Sequence, residues 1–106
     1  MAWFILVVAG LFEVVWAFSM KESAGFTRLW PTVVTFVAMV VSFGLLSWSM
    51  TVLPLGIAYT VWTGIGAIGA FIVGILILGE AANPMRIVAA LLIVAGLALM
   101  KLSSPE

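Results

Sequence analysis

Four apolar runs, each about as long as a bilayer is thick, leave this chain few ways to fold. A membrane-crossing helix needs about 20 mostly apolar residues, and the runs fall at 2–20, 31–50, 56–78 and 85–101. The first closes at Lys21, Glu22, Ser23, Ala24 and Gly25, and the second opens beside Pro31, a residue favoured in a first helical turn. Thr51, Val52, Leu53 and Pro54 form a tight uncharged connection, and a polar stretch from Gly79 to Pro84 closes the third run. Barrel strands would be about half this length and would alternate polar with apolar residues, whereas these runs are continuously apolar. The reading is an all-α integral membrane protein, one four-helix transmembrane domain over residues 1–106.

Composition closes off the alternatives. Only 8% of the residues are charged and 66% are hydrophobic, against about 25% charged in an ordinary soluble domain. A net charge of zero gives no basic patch for nucleic acid. Neither cysteine nor histidine is present, so thiolate chemistry and the usual metal and acid–base chemistry lack their residues. No cofactor, no metal site and no enzymatic activity are expected. A cleaved signal peptide fits poorly, because no Lys or Arg precedes the first run and Glu13 lies inside it. Lys21, Arg28 and Arg86 fall on one side and Lys101 on the other. That bias favours inward first and third loops and is small enough to leave insertion in both orientations open.

Glu13 is the residue that asks for a function. An acidic side chain at a helix centre costs about 2.5–3.5 kcal/mol on insertion scales. The bland explanation is a basic partner on another helix, yet all four Lys and Arg sit near the ends of the runs. Out of water, an uncompensated carboxyl favours its protonated form and can exchange protons. Trp16 and Gly10 stand three residues to either side, on the same helical face. In the third run Tyr59 and Trp62 repeat that spacing. Their rings offer faces to a cation, and the hydroxyl and indole N–H can hydrogen-bond a carboxylate. Trp3, Trp30 and Trp48 suit an interfacial belt instead. In the second run Ser42 stands near mid-depth, free by spacing to orient Glu13 or a ligand, or to bond its own preceding turn. Met39 and Phe43 flank that face with adaptable apolar bulk.

The sequence Gly-Ile-Gly-Ala-Ile-Gly at 64–69 matches the dinucleotide fingerprint, but that motif has meaning only after a strand and within a βαβ unit. Close helix packing through small residues is the better reading, with Gly64 and Gly66 also able to let the helix bend. Ala89 and Gly96 form a small-residue stripe on the fourth run, which looks like contact between protomers. A site on three helices and a separate stripe on the fourth suggest a dimer that brings two Glu13 carboxyls together. Two like charges in a dry site do not ionise together easily, so protons bind unless a cation replaces them. That competition amounts to antiport.

With these residues assembled, the chain resembles the small multidrug resistance family over essentially its whole length. The resemblance rests on the lone Glu13, on Gly-Phe-Thr-Arg-Leu-Trp-Pro at 25–31, and on Gly-Ile-Ala-Tyr-Thr-Val-Trp-Thr-Gly-Ile-Gly at 56–66. Trp16 beside Glu-Val-Val, the Gly-Ala-Ile-Gly-Ala pattern at 66–70 and Lys101 are similar to the guanidinium exporter subtype. The resemblance implies an antiparallel, dual-topology homodimer in the inner membrane that exchanges guanidinium and small substituted guanidinium ions for protons. It implies that Glu13 binds substrate and protons, that Trp16, Ser42, Tyr59 and Trp62 line that site, and that Met39 and Phe43 border a lateral opening. It implies helix packing at Gly10, Gly64, Gly66, Ala89 and Gly96, although Ala89 stands where glycine is often found. The alternative within transport is a polyspecific exporter of quaternary ammonium and lipophilic cations. Outside it are a non-transporting membrane subunit and a lipid- or metabolite-handling relative.

Overall fold

The computed structural model describes residues 1–103, and among them the chain is four helices with no strand. They are α1 (Ala2–Glu22), α2 (Leu29–Ser49), α3 (Leu55–Leu76) and α4 (Pro84–Ser103). Each is long and apolar enough to cross a membrane. The protein is therefore a four-helix transmembrane protein.

The helix ends differ from the apolar runs by a few residues, for local reasons. α2 begins at Leu29, so Pro31 occupies its first turn, where a missing amide hydrogen costs nothing. α3 stops at Leu76 rather than 78. The amides of Ile77 and Leu78 both turn back to the Val73 carbonyl, and Gly79 adopts a left-handed φ of +72°. α4 starts one residue before its apolar run, at Pro84, because the Asn83 side chain caps it by accepting the Arg86 amide at 2.9 Å. Lys21 and Lys101 fall in the last turns of α1 and α4, where a cation complements the helix dipole.

The first connection is built around Ser23, which is fully buried. Its hydroxyl donates to the Met20 carbonyl at 2.7 Å and accepts the Phe26 amide at 3.1 Å. Those bonds hold Ala24, Gly25 and Phe26 in three consecutive left-handed conformations, and Phe26 stacks on Phe36 of α2 at 5.6 Å.

α1 is the centre of the packing. Ala2, Leu6, Ala9 and Gly10 are its buried residues towards the N-terminal end, and it lies against both α2 and α3, which hardly touch each other. The seam of α2 reads Thr35, Ala38, Ser42, Leu46 and Ser49, in steps of three or four. Small side chains of this kind let membrane helices approach closely. α4 has no buried residue and packs on α3 alone, apart from its far end, where Lys101 Nζ stands 4.8 Å from the Trp3 ring centroid. The Cα trace measures 43 × 34 × 16 Å, a slab about one helix and a half thick.

Candidate functional site

Glu13 sits at mid-length of α1, facing α3, and the residue opposite it is Gly66. A Cβ at Gly66 would collide with the Glu13 carboxyl, so the glycine provides the space that the acid occupies. Two other glycines serve helix approach. A Cβ at Gly10 would meet Ile65 at 2.6 Å, and one at Gly64 would meet Leu97 of α4 at 2.6 Å. Spacing along the sequence groups Gly64 with Gly66; the structure turns them to opposite neighbours, one to α4 and one to the carboxyl.

Among the described residues the carboxyl has no hydrogen-bond donor. Glu13 Oε1 is enclosed and forms no hydrogen bond, and the indole nitrogen of Trp16 is likewise enclosed and unpartnered. The four Lys and Arg residues lie at Lys21, Arg28, Arg86 and Lys101, all at helix ends. An enclosed oxygen without a donor costs about 1–3 kcal/mol, more when charged, and a bound cation or proton would remove that cost. Among the described residues no group of three or more acidic, His or Cys side chains converges as a metal site.

Ser42 bonds neither Glu13 nor its own preceding turn. It is fully buried. Its hydroxyl donates to the Ala9 carbonyl of α1 at 2.7 Å and accepts the indole N–H of Trp62 at 2.9 Å. Thr35 and Ser49, by contrast, donate to carbonyls four residues back in their own helix. Ser42 thus ties α1, α2 and α3 together at one point. In α-helical pairing the Ala9 carbonyl also accepts the amide of Glu13, so the tie lands on the turn that carries the acid. Sequence reasoning missed this link, because a backbone carbonyl leaves no mark in the sequence.

The aromatic side chains form one continuous run across three helices. Trp16 meets the edge of Phe43 at 6.3 Å and 74°, Phe43 tilts against Trp62 at 5.8 Å, and Trp62 tilts against Tyr59 at 5.8 Å. Phe43 therefore joins the two groups of rings, besides bordering them. Tyr59 and Phe43 are about half exposed at 53% and 46%, so this wall is open on one side within a single chain. Met39 is half-buried one turn before Phe43. The hydroxyl of Tyr59 does not bond Glu13, and the N–H of Trp62 is already committed to Ser42.

Ala89 and Gly96 are exposed on α4, each bordering a groove against α3. Nothing lies within 4 Å of a Cβ placed on Gly96, which borders a groove of about 450 Å³ between α3 and α4. Tyr59, Thr63, Gly64 and Ala67 form its α3 wall. The groove lies on the side of α3 away from Glu13, so this opening and the carboxyl are separate features.

With the geometry in hand, similarity to known proteins adds chemistry. The model of the family described as Small Multidrug Resistance protein matches residues 1–103. A protein named guanidinium exporter from Escherichia coli (strain K12) is 59% identical over 104 residues, 98% of this chain and 99% of that protein. Proteins of the same name from Citrobacter freundii and Salmonella typhimurium are each 57% identical over the same coverage.

Proposed function

Because the chain belongs to the small multidrug resistance family, we propose that it exports guanidinium and small substituted guanidinium cations across the inner membrane in exchange for protons, with Glu13 as the shared binding group. The observation that carries the reading is the enclosed Glu13 oxygen with no donor of its own, facing a space that Gly66 keeps open. Near full-length relatives named for guanidinium export supply the substrate class.

The chemistry fits the cation. Guanidinium is planar and presents paired N–H donors that match a carboxylate in parallel, and its flat faces stack on aromatic rings. The run that starts at Trp16, one turn from the acid, and continues through Phe43 and Trp62 to Tyr59 offers such faces. A quaternary ammonium has no donors and would depend on rings and charge alone. Ser42 holds Trp62 in place, a positioning role rather than a direct contact.

A second copy completes the site. An α4 with no buried residue, a bare Gly96 and an aromatic wall open on one side all support a homodimer. The small bias in loop charge, Lys21, Arg28 and Arg86 against Lys101, is compatible with an antiparallel, dual-topology arrangement, with Met39 and Phe43 bordering a lateral opening between the copies. Paired Glu13 carboxyls then hold protons or one cation, and each displaces the other. Transport follows from that competition, and the cargo leaves chemically unchanged.

The test is proton movement in vesicles carrying the purified protein, followed with an internal pH-sensitive dye while guanidinium, phenylguanidinium or a tetra-alkyl ammonium ion is added outside. Guanidinium-driven proton flux is expected, with little or none for the tetra-alkyl ion. Glu13→Gln is expected to abolish the flux while keeping the helical circular dichroism of the parent. Persistent guanidinium-driven flux in Glu13→Gln would sink the assignment, and flux with tetra-alkyl ammonium alone would favour a quaternary cation exporter.

A further inference from the structure

α3 is followed by a fold-back that places a second acid. The Glu80 amide donates to the Gly74 carbonyl at 2.9 Å, and left-handed Gly79 makes the reversal possible. This lays the Glu80 side chain along the flank of α3 at Gly74, where a Cβ would stand 2.5 Å from Oε1. Two glycines thus serve one placement: Gly79 turns the chain and Gly74 makes room for the carboxyl. Neither the apolar packing nor the Glu13 site uses that arrangement.

Beside this carboxyl lies a cavity of about 210 Å³ between α1 and α3, bordered by Ala17, Lys21, Ala70, Val73, Gly74 and Glu80 among others. One water takes a liquid volume of about 30 Å³, so the space admits an ion of four heavy atoms together with water. Lys21 and Glu80 are its charged residues, and among the described residues no ion pair joins them. Helical spacing fixes where it opens. Ala17 and Lys21 lie one and two turns beyond Glu13 on α1, and Ala70 and Gly74 lie one and two turns beyond Gly66 on α3. The cavity is therefore on the α1–α3 seam that holds the Glu13 carboxyl, about 6–12 Å further along at the helical rise, at the end where the first and third loops emerge.

We propose that Glu80 forms a second, weaker guanidinium site at this mouth, which gathers the cation for Glu13. The inference rests on the exporter reading above. Glu80 is exposed, so its attraction for a cation is modest and screened by salt. Weak binding suits a loading site, which must gather the ion without retaining it. The Lys21 ammonium on the same cavity repels a cation and competes for the Glu80 carboxylate, which keeps residence there short. In an antiparallel pair each membrane face would carry one such mouth.

The vesicle assay tests this through the guanidinium concentration that half-saturates proton flux. At low ionic strength, Glu80→Gln is expected to raise that concentration by about threefold to fivefold with the maximal flux kept, the scale of an exposed charge contact. The difference should vanish in concentrated salt, and Lys21→Gln should shift the value the other way. Gly74→Ala, which displaces the Glu80 carboxyl, should reproduce Glu80→Gln, and combining the two should add nothing. Glu22→Gln removes a charge at the same end outside the cavity and should leave the value near that of the parent. An active parent with an unchanged Glu80→Gln would overturn this inference alone, as would an equal effect from Glu22→Gln. A silent parent would overturn the exporter reading and this site with it.

Discussion

At Gly66, the atoms that are absent decide where the charge of Glu13 can lie. Adding one methyl group there forces the carboxyl off its position against α3. Gly66→Ala is accordingly expected to lose at least about tenfold in apparent guanidinium affinity, because a displaced carboxylate forfeits its paired donors, each charge-assisted bond being worth about 1.5–3 kcal/mol. The vesicle flux assay reads this, and an Ala variant with the parent's affinity would remove Gly66 from the site. Ser42 acts at one remove. Ser42→Ala takes away the acceptor of the Trp62 N–H and the donor to Ala9. Hydrogen bonds within membrane bundles average about 0.6 kcal/mol and reach about 1.7, so the variant should lose about 1 kcal/mol of unfolding free energy in mixed micelles. Trp62 fluorescence should shift at the same time, since its indole loses its partner. An unaltered spectrum would mean that the ring is held by packing alone.

Among the elements, α3 carries the most assignments, and different residues of one helix serve each neighbour. Gly66 meets the acid on α1, Gly64 meets Leu97 on α4, and Gly74 meets Glu80 from the following turn. The four spans were legible beforehand because twenty apolar residues in a row have few other uses. Glu13 was legible because no basic residue shares its depth. The individual duties of Gly64 and Gly66 were not, since a glycine has no side chain to show which helix it approaches. Ser42 was half legible: its depth was clear, but its choice of Ala9 and Trp62 depended on how three helices met. Helix ends were blurred for a similar reason, as their limits lie in single hydrogen bonds. The start of α4 rests on the Asn83 cap, so Asn83→Ala should weaken the first turn by about 1 kcal/mol. Faster amide hydrogen exchange at Arg86 and Ile87 than in the parent, with α1 unaffected, is the expected signature. Unchanged exchange would leave Pro84 as sufficient to begin the helix.

Taken whole, the molecule is a slab 16 Å thick with most of its large apolar side chains turned outward. A slab of helices has two faces and almost no middle, so its neighbours in the bilayer complete its surface. Lipid tails are as apolar as leucine, and association between such faces draws on close packing rather than on escape from water. What sets assembly is then lateral density: the number of copies per lipid in a two-dimensional solvent, in place of molar concentration. Dilution in lipid becomes the natural experiment. If two copies form the working unit, flux per copy should fall as the lipid-to-protein ratio rises, approaching proportionality to the density of copies once most are single. A flux per copy that stays level across the dilution series would mean that one slab suffices. The same thinness makes the protein sensitive to its solvent, for a change in lipid chain length alters the surface of every helix at once.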